Sequence, residues 1–189
     1  MHGIVFDRPL REFDVTTKLT SFMATIITTL QKSMESEHAA TRKCVERIPV
    51  SSYEFKPHPK SMLMGYLVHL VCDIPNWLKH IMDDDKIDLA TFKKEQPKTT
   101  EDMVKYLDKN VAGAVEAFKR LKEDRLDLPF SLVAGPQMLN TTPRLDNITS
   151  TINHWVHHRG QLTVYMRLCD IAVPSIYGPS ADDNPWKQS

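Results

Sequence analysis

From Thr17 onward, apolar side chains recur at the spacing of an α-helix. Leu19, Phe22, Met23, Ile26, Ile27 and Leu30 form one stripe, and Met34, Glu37, Thr41, Cys44, Val45 and Ile48 carry the same face forward until Pro49 stops it. The pattern predicts one long helix, or two abutting ones, from about Lys18 to Arg47. Residues 1–16 have no clear period and read as an N-terminal arm. Glu37 is an acid on the inward face, and the stripe alone reads it as an edge position with a solvated carboxylate.

Residues 49–61 hold three prolines and three serines and read as a loop, with Ser61 as N-cap of a second helix from Met62 to about Met82. That helix places Tyr66, His69, Asp73, Trp77 and His80 on one flank, and its internal Pro75 predicts a kink near His69 to Val71. The run DDDK at 83–86 reads as a solvated exit. A Thr cap and first-turn acids open a third helix over about Glu101 to Lys122. The connection 123–142, with Pro129, Gly135 and Pro136, reads as irregular. Thr142 with Pro143 at the first helical position opens a fourth helix reaching about Cys169. Prolines and a glycine keep the tail 171–189 irregular. With no convincing strand pattern, the prediction is an all-α bundle of four helices in a single domain, residues 17–189, tail included.

Composition narrows function more than fold. Lys plus Arg number 24 and Asp plus Glu 24, with neither sign gathered into a block, so no footprint for nucleic acid or an anionic membrane is present. The absence of an apolar leader or spanning run predicts a cytoplasmic protein, and the expected partner is a small molecule. Cys44, Cys72 and Cys169 lack C-x-x-C spacing and read as free thiols in a reducing compartment.

The candidate chemistry lies in Asn153 to Leu168, NHWVHHRGQLTVYMRL. His154 and His158, four residues apart on a helix, project from one face, a spacing suited to two ligands on one metal ion. On a helical wheel Asn147, Gln161 and Tyr165 fall close to the same direction, while His157 points roughly 60° away from the pair, at the rim. A third donor from a neighbouring helix would complete the clamp, and His69 is the best-placed candidate. The spacing alone also fits a partly hydrated helix face. Trp155 stands where the zinc-protease signature H-E-x-x-H has its general base, which argues against a peptidase. Arg159 and Gly160 read as packing residues, the glycine because a mid-helix Gly is costly unless something approaches closely there.

The run HWVHHRGQLTVYMRL followed by VPSIYGPSADD resembles the C-terminal signature of the DinB/YfiT-like superfamily, a helix reading H-x-x-x-H-R-G-Q-L with a YGPSADE-like tail. EHAATRKCVERIP, KPHPKSMLMGYLVHL and DIPNWL are similar to its first two helices, so the resemblance covers about Leu30 to Asp183. It implies an up-down four-helix bundle with a divalent metal held by His69, His154 and His158: zinc or nickel first, with iron, cobalt or copper as alternatives. It also implies that the bundle can pair as a homodimer. Several relatives resemble transferases that join a low-molecular-weight thiol to an electrophile; a non-catalytic metal-binding stress-response bundle and a metal-dependent hydrolase are the alternatives. In such a site Glu37 and Tyr165 are the candidate catalytic groups, with Glu37 the first choice of proton acceptor. Asp73, His157 and Gln161 are expected to support the ligands or face the substrate, in a pocket built from the 123–142 connection and the tail.

Overall fold

The structure is a computed structural model that describes residues 15–187, with side-chain placement from residue 25 onward. The predicted arm therefore lies outside the described residues, except that Val15 and Thr16 already belong to the first helix. The helices are α1 (Val15–Val45), α2 (Met64–Asp83), α3 (Thr100–Arg120) and α4 (Arg144–Leu168). On α1, Met34, Thr41, Cys44 and Val45 are buried as their spacing predicts, and so is Ile48 just past the helix end; Glu37 is buried as well, which corrects the expectation of a solvated carboxylate at the edge. On α3 the Thr99 hydroxyl accepts from the Asp102 N–H at 3.0 Å, and Glu101 and Asp102 occupy the first turn.

α2 packs against α3 and α4, and α1 packs against the same two helices. Around the bundle the order is thus α1, α3, α2, α4, so the connections α1–α2 and α3–α4 both run across a diagonal. Such crossings need length. The first is residues 46–63 and the second is residues 121–143.

Ser61 does not cap α2. The helix starts at Met64, and its first N–H groups are taken by the preceding loop: Met64 N–H donates to the Phe55 carbonyl and Gly65 N–H to that of Tyr53, both at 2.9 Å. This close return requires glycine, since a Cβ at residue 65 would stand 2.8 Å from Cβ of Tyr53.

Pro75 lies buried inside α2 and deprives the Val71 carbonyl of its helical donor. The indole N–H of Trp155 on α4 fills the vacancy at 2.7 Å, and the Asn110 side-chain amide on α3 bonds the next carbonyl, Cys72, at 2.9 Å. The defect in α2 is therefore where its two neighbours attach.

The expectation of a purely helical fold requires correction. Among the described residues β1 (Lys86–Asp88), β2 (Pro129–Ala134) and β3 (Gln137–Pro143) form a sheet in that order, β1 parallel and β3 antiparallel to β2. Gly135, at φ +57°, turns the hairpin. The exit DDDK is solvated as expected, with Asp84, Asp85 and Lys86 exposed, and it also forms ion pairs: Asp83 with Arg120, and Asp85 with Arg125 and Arg144, while Lys86 opens β1. Pro143 is the N-cap of α4 and Arg144 its first residue, one position later than predicted. The fully buried Arg144 guanidinium bonds the carbonyls of Ile81 and Asp84, tying the end of α2 to the start of α4.

Candidate metal centre

α4 delivers His154 and His158 to each other. Their Nε2 atoms stand 2.6 Å apart, and the rings meet edge to face with centroids at 4.4 Å. Nδ1 of His158 faces the Gln161 Oε1 at 2.8 Å. A carbonyl oxygen can only accept, so Nδ1 carries the proton and the Nε2 lone pair is directed at its partner. His157 packs its ring on His158 at 5.1 Å. Desolvation, and then the neighbouring His158 and His157, hold the pKa of His154 below its ordinary value, which favours the neutral imidazole a metal requires.

His69 is not brought to this pair. Its Nε2 bonds the Glu95 carbonyl at 2.7 Å, its ring lies tilted on Tyr106, and it lines a separate pocket with Tyr66 and Lys94. Among the described residues, no three or more His, Cys, Asp or Glu side chains are grouped to hold a metal ion. The donor chemistry fits a two-nitrogen clamp, with Gln161 orienting one ligand from behind.

Asp73 is fully buried beneath the His69 flank and accepts from Tyr106 Oη at 2.6 Å, Trp77 Nε1 at 2.9 Å and Lys94 Nζ at 3.2 Å. Burial, and then this carboxylate, push the Tyr106 phenol well up. Glu37 is turned inward, but Arg159 and the Tyr177 hydroxyl, the latter at 2.8 Å, hold its carboxylate. The Tyr165 hydroxyl donates to the Met62 carbonyl at 3.1 Å and its ring meets Phe55. As built, both proposed catalytic groups serve packing contacts between elements. The other described histidines are also engaged: His38 with Asp108, His80 with Asp84, and His58, whose Nδ1 accepts from the Lys60 N–H at 3.1 Å.

Arg159, only 2% exposed, is the residue whose role the sequence reading missed. Its signal was Glu37 itself, because a buried acid needs a buried cation. Gly160, by contrast, has no described residue within 4 Å of where its Cβ would be, so no close approach among the described residues explains it.

The YGPSADD tail is a folded strap. Tyr177 reaches Arg159 at 2.6 Å, Asp182 pairs with Arg167 while accepting the Val173 N–H, and Asp183 accepts the Ser175 N–H and faces Arg47. The Ser180 hydroxyl bonds the Val173 carbonyl at 2.7 Å and closes the turn.

A family model described as the DinB family matches residues 21–188, which extends the resemblance at both ends. The chain belongs to the DinB family. Its fold is similar to that of a DinB-like protein, YjoA, from Bacillus subtilis, with a TM-score of 0.61, 21% identity, and 76% of this chain and 94% of that one covered. A DinB-like protein from Bacillus cereus is as similar, with a TM-score of 0.61 and 23% identity over 78% of this chain and 95% of that one. A shorter stretch of 32 residues is 53% identical to the uncharacterized protein YrdA of Bacillus subtilis, covering 17% of this chain and 19% of YrdA. Within this DinB chain no described helix is long and apolar enough to cross a membrane.

Proposed function

We propose that this DinB protein binds a divalent metal through His154 and His158, and that it acts as a metal-dependent transferase joining a low-molecular-weight thiol to a small electrophile. The observation that carries the first half is the convergence of the two Nε2 atoms with Nδ1 of His158 engaged by Gln161. Without a metal, two neutral imidazoles face each other across a distance that needs one of them to act as donor; with one, both lone pairs are used. His69 is proposed as the third ligand on the family resemblance, and taking that role requires it to leave the Glu95 carbonyl. A metal with an open position lowers the pKa of a bound thiol, supplying the thiolate such a transfer needs.

Metal analysis of the purified chain should find one ion per chain, lost in His158→Ala and in His154→Ala. A metal-free wild type, or full retention in His158→Ala, removes the site. With metal present, a panel of thiols and a chlorinated electrophile should turn over faster than with chelated protein. No difference leaves the alternative of a metal-binding bundle without catalysis, which the packing roles of Glu37 and Tyr165 favour.

A further inference from the structure

Cross-strand pairing sets Ile87, Leu132 and Asn140 side by side, Ile87 opposite Leu132 and Leu132 opposite Asn140. Directly paired residues share a sheet face, so these three form one row running across all three strands. The row looks onto α2 at Trp77 and Ile81, and onto α4 at Ser150, Thr151 and His154, around a cavity of about 280 Å³. Sheet, α2 and α4 thus each supply a wall, and one wall carries a member of the histidine pair.

These walls are chemically one-sided. Trp77, Phe130 and the aliphatic side chains make an apolar body, while Asn140 on β3 and Asn147, Ser150 and Thr151 on α4 supply amide and hydroxyl groups along their edge. Among the described residues no Asp, Glu, Lys or Arg lines the space, and His154 is the single titratable one that does. The aromatic walls are fixed from outside: Trp77 is held by its indole bond to Asp73 and by Phe92 edge-on, and Phe130 has the Arg144 guanidinium over its ring at 5.9 Å. A charged ligand would lose its hydration here without gaining a counter-ion, whereas an uncharged aromatic body would bury apolar surface with its polar substituent at the hydroxyl edge.

We infer that the space between the three-stranded sheet, α2 and α4 is the binding pocket for a small uncharged aromatic molecule with one polar substituent, the electrophilic substrate of the His154 centre. Calling the occupant a substrate rests on the transferase reading; the pocket and its selectivity for uncharged ligands do not.

Nitrobenzene and 4-nitrobenzoate differ by one charge and serve as probes. On the full chain, with and without chelator, nitrobenzene should bind saturably and shift the NMR signals of Trp77, Phe130 and Thr151, with 4-nitrobenzoate at least tenfold weaker. Leu132→Trp fills the cavity and should abolish nitrobenzene binding. Ser150→Lys, on the helix surface, should strengthen 4-nitrobenzoate binding at least tenfold, so the inference stays testable if the filled variant fails to fold. Equal binding of the two probes, signals shifting elsewhere, or no response to Ser150→Lys overturns it. Metal content is read on the same samples: selective nitrobenzene binding in a chain that holds no metal keeps the pocket and removes the metal reading, and a stoichiometric metal without nitrobenzene binding does the reverse.

Discussion

Two glycines in helices make opposite demands on their surroundings. At Gly65 an added methyl would meet Tyr53 Cβ at 2.8 Å, and the contact is with the root of a side chain whose own carbonyl accepts the Gly65 N–H. Gly65→Ala should therefore lower thermal stability by about 1–3 kcal/mol, as overpacking does. At Gly160 the space is open among the described residues, and Gly160→Ala should raise stability by about 0.5–1 kcal/mol, or roughly 1–4 °C in a chain of this size. Thermal melts of the two variants check both signs. A fall in stability for Gly160→Ala would mean that something other than the described residues approaches α4 there. Neither outcome was legible in the sequence, where both positions appear as a glycine within a helical pattern. The histidine pair was legible, because its geometry follows from the i, i+4 spacing of a single helix. The surroundings of His69 were not, because they depend on where the segment around Glu95 crosses α2.

Among the elements, α2 shows how a local defect becomes a junction. Trp155→Phe leaves the Val71 carbonyl buried without a donor, which should cost about 1–3 kcal/mol, and it also gives up the packing of one ring of a fully buried indole. In a Pro75→Ala background residue 75 regains an N–H that can serve the same carbonyl, so the cost of Trp155→Phe should shrink. Denaturant melts of the four proteins of this cycle give the coupling energy, and additivity within about 0.5 kcal/mol would show that the proline and the indole do not share the carbonyl. The proline was visible in the sequence and the donor was not, since nothing local assigns Trp155 to it. The four helices were readable because each carries its own apolar period. The strands were missed for a reason of the same kind. β1 is three residues long, β3 is exposed over most of its length, and an irregularity at Leu132/Val133 puts the buried Phe130 and Val133 three residues apart, where an unbroken strand would bury every second one.

For the whole molecule, the C-terminal strap and α1 meet α4 at one buried ion pair. Glu37→Ala would leave the Arg159 guanidinium covered and without its counter-charge, a loss of about 3–5 kcal/mol. Tyr177→Phe removes only the strap's hydroxyl and should cost about 1 kcal/mol. Unfolding midpoints compare the two, and a Glu37→Ala variant as stable as wild type would show that the pair makes no net contribution. The YGPSADD signature thus identifies the family through residues that hold the tail to the bundle. The diagonal helix order could not be read from four apolar stripes, because each stripe records that a face is covered and not which helix covers it.

Trp155 directly follows His154 in the chain, and Arg159 directly follows His158. The first is bonded to α2 and the second to α1, about one turn further along α4. A shaft pinned at two heights to two different posts can neither slide nor spin. Each histidine sits beside a pin, so the direction in which the pair presents its nitrogens is set by the framework of the bundle.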